Sequence, residues 1–287
     1  MRILVTGGTG MLGVDVVDAL AGHEVVAVGS AALDIRDAAA CLAAARDVAG
    51  GPADAIVNCA AYTRVDDAET DEDAAFALNA GGAASLAAAA AEVGAVHVQV
   101  STDYVFGGDA SAPYPEDAPV APVSAYGRTK AEGERLAREA NPDTVIVRTA
   151  WLYGAGGTSF PRTMLRLAGE RETLTVVDDQ RGQPTWTRDL AAQIRALLEA
   201  DVRRGVFHGT NAGQATWFDF ARAVFAEAGL DPERVQPTDS AGFVRPAPRP
   251  AWSVLGHDGW AAAGLTPMRD WREALHEAFA RGEVTAA

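Results

Sequence analysis

A short β-branched run near the start of the chain, Ile3-Leu4-Val5-Thr6, leads directly into Gly7-Gly8-Thr9-Gly10-Met11-Leu12-Gly13, and a pattern of helical period follows over 11–21. Few local sequences restrict a fold so strongly. Glycines at this spacing serve a strand-to-helix turn in three ways: one permits the tight turn, one lets backbone N–H groups approach a pyrophosphate, and one lets the helix pack closely on the strand. The helix begins at Met11 and Leu12, where the positive end of its dipole faces the phosphates. The segment reads as the phosphate cradle of a dinucleotide site, which requires parallel strands from the rest of the chain.

Those strands are predicted at 3–6, 25–28, 55–59, 96–100 and 144–148, with helical patterns near 11–21, 37–48, 83–93 and 126–140. Apolar runs alternating with helices indicate right-handed βαβ units. The expected class is α/β, a Rossmann-type doubly wound parallel sheet. After residue 150 the rhythm loosens: helices are predicted near 159–170, 187–199, 217–228 and 269–280, separated by proline and glycine rather than by regular strands. The expected organisation is a dinucleotide-binding domain over 1–150, with an exchanged segment near 180–211, and a smaller substrate domain from 151–179 and 212–287. Two proline-rich stretches, starting at Asp109 and Phe243, are long loops inside this fold and read as functional.

Composition narrows the function. The 287 residues are 48% hydrophobic and 22% charged, ordinary globular proportions that exclude intrinsic disorder. With 39 acids against 24 bases the net charge is −15, which leaves no general basic surface for nucleic acid. Cys41 and Cys59 lie in apolar stretches without metal-ligand spacing and read as free thiols in a reducing compartment. The apolar run at the N-terminus is too short for a signal peptide, and the alanine-rich stretch 83–91 falls short of the roughly 18 residues that span a bilayer. A cytoplasmic protein without a membrane or nucleic-acid partner is expected. An oligomer is compatible with the sequence but not specified by it.

NAD-selective sheets place an acid at the end of the second strand to accept the ribose hydroxyls, but Val28 is followed here by Gly29 and Ser30. Nothing at Ser30 repels a 2′-phosphate, so NADPH is favoured and NADH remains open. Asp34 and Ile35 are placed to border the adenine.

Among the 24 basic residues, Lys130 is the only lysine, and it lies four positions after Tyr126 at the start of a helical pattern, so the two side chains share a face. A compact ammonium differs chemically from a guanidinium, which gives the exception meaning. The pair reads as a general acid and its support. A phenol near pKa 10 must fall by about 3 units, roughly 4 kcal/mol, to exchange a proton readily at neutral pH, and nearby positive charge favours that. Arg245 and Arg249, flanking prolines in the second long loop, read as a local clamp for an anionic ligand on an otherwise acidic chain.

The N-terminal TGGTGxxG and the downstream YxxxK resemble the extended short-chain dehydrogenase/reductase superfamily. More closely, Ser101-Thr102-Asp103-Tyr104-Val105-Phe106, the Tyr126–Lys130 motif, Arg148-Thr149-Ala150-Trp151-Leu152-Tyr153, Asp178-Asp179-Gln180 with Gly182-Gln183-Pro184-Thr185, and Arg245-Pro246-Ala247-Pro248-Arg249 together resemble the dTDP-4-dehydrorhamnose reductase family along nearly the whole chain. The resemblance implies that Tyr126 donates a proton to the C4 oxygen of a dTDP-4-keto-6-deoxy-L-sugar as hydride arrives from the nicotinamide. It implies that Lys130 holds the nicotinamide ribose and lowers the tyrosine pKa, that Thr102 hydrogen-bonds the carbonyl oxygen, and that Asp103 and Trp151 border the sugar. Ala60, Ala61, Tyr62 and Thr63 resemble the family's passage beside the cofactor, with Val65 just beyond on the substrate side. Arg249 is the substrate-binding arginine of the clamp.

Some members of that family use magnesium at a carboxylate-lined dimer contact. Asp15 falls where one carboxylate could be, but Arg188 occupies the region of another, so no metal is predicted. Dehydratases of the superfamily carry an Asp-Glu pair directly after the threonine, whereas Thr102-Asp103 is followed here by Tyr104, which argues against elimination. An epimerase, and a non-catalytic dinucleotide-binding subunit, remain the alternatives.

Overall fold

The computed structural model describes residues 1–285. Five strands, β1 (Arg2–Thr6), β2 (Glu24–Val28), β3 (Ala55–Asn58), β4 (Val96–Thr102) and β5 (Thr144–Thr149), are joined by Gly205–His208 in one parallel sheet. The spatial order is Gly205–His208, β5, β4, β3, β1, β2. The chain thus builds outward from β1 in both directions, and the crevice at the carboxyl ends beside β1 is where an open α/β sheet binds ligands.

Both faces are covered, as a buried parallel sheet requires. On one, Val5, Val57, Val98 and Val147 pack against Leu12 and Val16 of α1 (Met11–Ala19) and against Leu190 and Ile194 of the helix Thr187–Glu199. On the other, Leu4 and Ile56 meet Cys41 of α2 (Ala38–Arg46), with Leu33, Ile35 and Leu86. A second apolar cluster, with Tyr153, Trp186, Phe220, Phe225 and Trp271 at its centre, forms from the later chain. There the helices Phe160–Glu170, Trp217–Glu227 and Trp271–Ala280 match the sequence reading closely. Short strands absent from that reading join them, including Leu174–Val177 paired with Val235–Thr238.

One boundary departs further. The helix predicted to begin near residue 83 is preceded without a break by α3 (Glu72–Phe76) and a π-turn, Ala77–Gly81, before α4 (Gly82–Val93). Asn79 and two glycines look like a stop signal locally. In the fold, Asn79 Oδ1 accepts the Tyr62 N–H at 2.8 Å, and its Nδ2 donates to the Tyr62 carbonyl at 3.2 Å and to Thr129 Oγ1 at 3.0 Å. The π-turn is thus held by tertiary hydrogen bonds, a common setting for such bulges near functional sites. The 22-residue run Glu72–Val93 is long and apolar enough to cross a membrane by length and composition, but half of its most apolar window is buried within the fold. It is placed as a core helix, its α4 part lying between α2 and α5 (Ala125–Ala140).

Candidate active site

Gly7, Gly8 and Gly13 have no room for a side chain. Gly7 sits at φ +66°, and its carbonyl accepts the Gly10 N–H at 2.9 Å. A Cβ on Gly13 would lie 2.1 Å from that carbonyl oxygen and 2.7 Å from the Gly8 Cα, and one on Gly7 would lie 2.7 Å from the Ala60 nitrogen. Gly10 supplies no side-chain cap to α1, so the first N–H groups face outward with the helix dipole behind them. Bare backbone donors at a helix N-terminus fit a dinucleotide pyrophosphate.

From this loop a cleft of about 820 Å³ runs along the carboxyl edge of the sheet. Every residue expected at the cofactor lines it: Gly7, Gly10, Met11, Leu12 and Gly13 of the glycine loop and α1, Ser30, Asp34 and Ile35 after β2, Ala60, Ala61, Tyr62 and Thr63 just after β3, and Tyr126 with Lys130 on the helix that begins at Ala125. Arg36 and Arg64 also border it, and sequence reading had passed over both. Arg36 grips the Asp34 carboxylate with Nε and Nη2 at 2.7–3.1 Å, which holds that carboxyl down at about 2.

Tyr126 is set by the start of α5. Ser124 Oγ caps the helix by accepting the Gly127 N–H at 3.1 Å, and the Ala125 N–H donates to Glu69 Oε1 at 2.8 Å. Gly127 lies against the Tyr104 carbonyl, where a Cβ would come within 2.2 Å. Burial pushes the Tyr126 phenol up, partly offset by a hydrogen bond with Thr102, while the nearby Asp103 carboxylate raises it further. The tyrosine is therefore held in its proton-bearing form.

Lys130, one helical turn on, donates from Nζ to the Val100 carbonyl at 2.7 Å. Burial pushes its ammonium down to about 8, with Glu134 opposing. Beneath it lies a buried ion pair. Glu134 takes Arg148 Nε at 2.9 Å and Nη2 at 2.8 Å and also accepts from Ser101 Oγ at 2.6 Å, with the two charged side chains 1% and 3% exposed.

Because the lysine value is depressed, the positive charge is complete well below about pH 8 and is lost as pH rises through it. The specificity constant for NADPH is accordingly expected to fall above about pH 8. A rate profile from about pH 6 to about pH 10 checks this, and a profile flat to its alkaline end would remove Lys130 from the assignment.

The residues expected on the substrate side lie outside the lining of this cleft. Thr102, at the end of β4, donates to Asp103 Oδ1 at 2.9 Å and accepts the Tyr104 N–H at 3.2 Å. Burial pushes the Asp103 carboxyl up to about 6, against hydrogen bonds from Ser253 and Thr102. Trp151 adopts φ +46°, uncommon for a non-glycine residue, and stacks on Trp217 with centroids 3.6 Å apart. Gly182 also lies close to it, where a Cβ would come within 2.7 Å of the indole. Val65 precedes Asp66, whose carboxylate holds Arg249 at 2.9 Å and Arg245 at 2.8 Å. Trp217, Asp66 and Ser253 were missed because nothing local marks them.

Among the described residues no three His, Cys, Asp or Glu side chains converge as a metal site. Arg188 instead bridges Asp18 at 3.2 Å and Glu283 at 3.1 Å, close to Asp15. A guanidinium stands among these carboxylates.

Residues 1–284 match the family described as RmlD substrate binding domain. The chain belongs to that family. A probable dTDP-4,6-dihydroxy-2-methyloxan-3-one 4-ketoreductase from Streptomyces antibioticus is 53% identical over 97% of this chain and 95% of its own length. A dTDP-4-dehydrorhamnose reductase from Streptomyces griseus is 50% identical over 97% of this chain and 93% of its own. In structure, the RmlD-family dTDP-4-dehydrorhamnose reductase from Bacillus anthracis in complex with NADP superposes with a TM-score of 0.93 at 36% identity, covering 98% of this chain and 99% of that one.

Proposed function

We propose that this RmlD-family chain is an NADPH-dependent ketoreductase acting on the C4 ketone of a dTDP-4-keto-6-deoxyhexose, with dTDP-4-dehydro-L-rhamnose the first substrate to try. The observation that carries the reading is the placement of Tyr126, half-buried and next to Thr102, on a cleft of dinucleotide size that also contains the chain's single lysine. NADPH, when bound, supplies the hydride. The residues of this chain supply the rest.

Tyr126 gives its proton to the C4 oxygen as the carbonyl becomes an alcohol. Thr102, anchored by Asp103, fixes the line of approach to that oxygen. Lys130 places an ammonium at the inner end of the cleft, where it holds the nicotinamide ribose and favours the phenolate left after transfer. Gly7, Gly10 and Gly13, with Met11 and Leu12, carry the pyrophosphate. Ser30, Asp34 and Ile35 border the adenosine, and Ala60 to Thr63 line the passage between. NADPH is preferred because Ser30 carries no charge to repel a 2′-phosphate and the Asp34 carboxylate beside it is already paired with Arg36. Trp151, Asp103, Val65 and Arg249 form the sugar-nucleotide side: Trp151 and Arg249 come from a substrate part drawn from 151–179 and 212–287, and Val65 and Asp103 reach it from the cofactor part. The cofactor part comprises 1–150 and the returning segment near 180–211. Free thiols at Cys41 and Cys59 support action in the cytoplasm.

The test is turnover. NADPH mixed with the enzyme and dTDP-4-keto-L-rhamnose is expected to be consumed in net amount, with an alcohol formed at C4. An epimerase recycles its cofactor, so product without net consumption of NADPH would overturn the reading.

A further inference from the structure

Resting on that reading, we propose that Asp66 is the positioning residue of an arginine clamp for the diphosphate of the nucleotide-sugar substrate. Its carboxylate joins both arginines of the 243–250 loop to one point. Oδ2 pairs with Arg245 Nη2 at 2.8 Å and Oδ1 with Arg249 Nη2 at 2.9 Å, while the Ala247 N–H also donates to Oδ1 at 3.2 Å. These partners lie about 180 residues away in the chain, so the contact is a tertiary choice.

Three features make this more than a surface ion pair. One carboxylate serves two guanidinium groups, so this pairing by itself leaves one positive charge uncompensated, while the neighbouring Asp67 is taken up by Arg64. Each guanidinium carries five N–H donors, of which Asp66 and the Ala247 carbonyl occupy only a few, so donors remain for phosphate oxygens. Pro246, Pro248 and Pro250 stiffen the loop, which lowers the entropy lost when the arginines take a ligand.

The location agrees. The Arg249 guanidinium lies 5.9 Å from the Tyr104 ring, and that ring meets Tyr126 edge-on at 5.7 Å. Asp66 also leads into the short turn Asp67–Glu69, and Glu69 holds the Ala125 N–H next to Tyr126. One turn of chain thus fixes both the arginine loop and the start of the tyrosine helix. A diphosphate on the clamp lies at a set distance from the proton donor.

The experiment measures Asp66→Asn and Arg245→Gln singly and together, by steady-state kinetics and by calorimetric titration with thymidine diphosphate and with thymidine. Asp66→Asn is expected to raise the KM for the nucleotide sugar and the Kd for thymidine diphosphate about tenfold, with kcat, the KM for NADPH and the thymidine affinity unmoved. The double variant is expected to lose no more than the larger single, since both act through one clamp. Asp66→Glu should recover part of the loss. Unchanged or tighter thymidine diphosphate binding in Asp66→Asn overturns the proposal, as do additive losses in the double variant. Arg245 is half-exposed, so Arg245→Gln keeps the clamp testable if Asp66→Asn does not fold: an unchanged thymidine diphosphate affinity there also overturns it. Calorimetry separates the two readings. Wild-type protein that binds thymidine diphosphate through Asp66 but reduces no dTDP-4-keto sugar leaves the clamp standing and removes the reductase.

Discussion

Tyr126→Phe is expected to lower kcat about a thousandfold, roughly 4 kcal/mol of transition-state stabilisation, with the Kd for NADPH nearly unchanged. Phenylalanine keeps the half-buried ring, its edge contact with Tyr104 and the packing around Ala68, Ala75 and Ala125, so only the hydroxyl is lost. The fold should be unaffected. Without the phenol, the developing C4 alkoxide has the Thr102 hydroxyl beside it but no acid in reach. Single-turnover rates with excess enzyme isolate that step, and fluorescence titration measures cofactor binding. Undiminished single-turnover reduction would show that the proton comes from elsewhere.

The second large effect concerns stability. Glu134→Ala removes the carboxylate that holds Arg148 and leaves a guanidinium almost fully buried, with the Glu116 carbonyl at 3.2 Å and His208 at 3.4 Å as its neighbours. Removing one partner of a buried pair typically costs about 3–5 kcal/mol, which for a chain of this size corresponds to a fall in Tm of roughly 10 °C. Ser101 also loses its acceptor. Replacing both charges together, as Glu134→Leu with Arg148→Met, should return most of the loss, because neither partner is then left uncompensated. Thermal melts of the single and double variants decide the point. A single variant as stable as the parent would mean that water reaches Arg148. The same substitution removes the group that opposes burial at Lys130, so the alkaline limb of the rate profile should move below about pH 8.

These two predictions draw on information of different kinds. Tyr126 and Lys130 were legible because they lie one helical turn apart, and a periodic pattern places such side chains on one face. The glycine loop was legible for a similar reason: a tight turn with backbone facing a ligand admits almost nothing else, and the 2.1 Å approach of a Gly13 Cβ to Gly7 shows how little space there is. Glu134 also shares the tyrosine helix, yet its role was hidden, since its partners Ser101 and Arg148 come from two separate strands. Asp66 meets arginines from the far end of the chain, and Trp151 meets Trp217 across the second cluster. No local rule marks either contact. The earlier start of the helix at Glu72 was not legible, since the π-turn that joins its two parts is held by tertiary hydrogen bonds from Asn79 to Tyr62 and Thr129.

By itself, the sequence determined the parallel α/β sheet, the dinucleotide cradle and the tyrosine–lysine pair, because each depends on residues within a turn or two of one another. The tertiary structure decided which charges are buried together and where the arginine loop is pinned. Those outcomes depend on solvent exclusion and on contacts between distant segments, and both exist only once the chain has closed on itself.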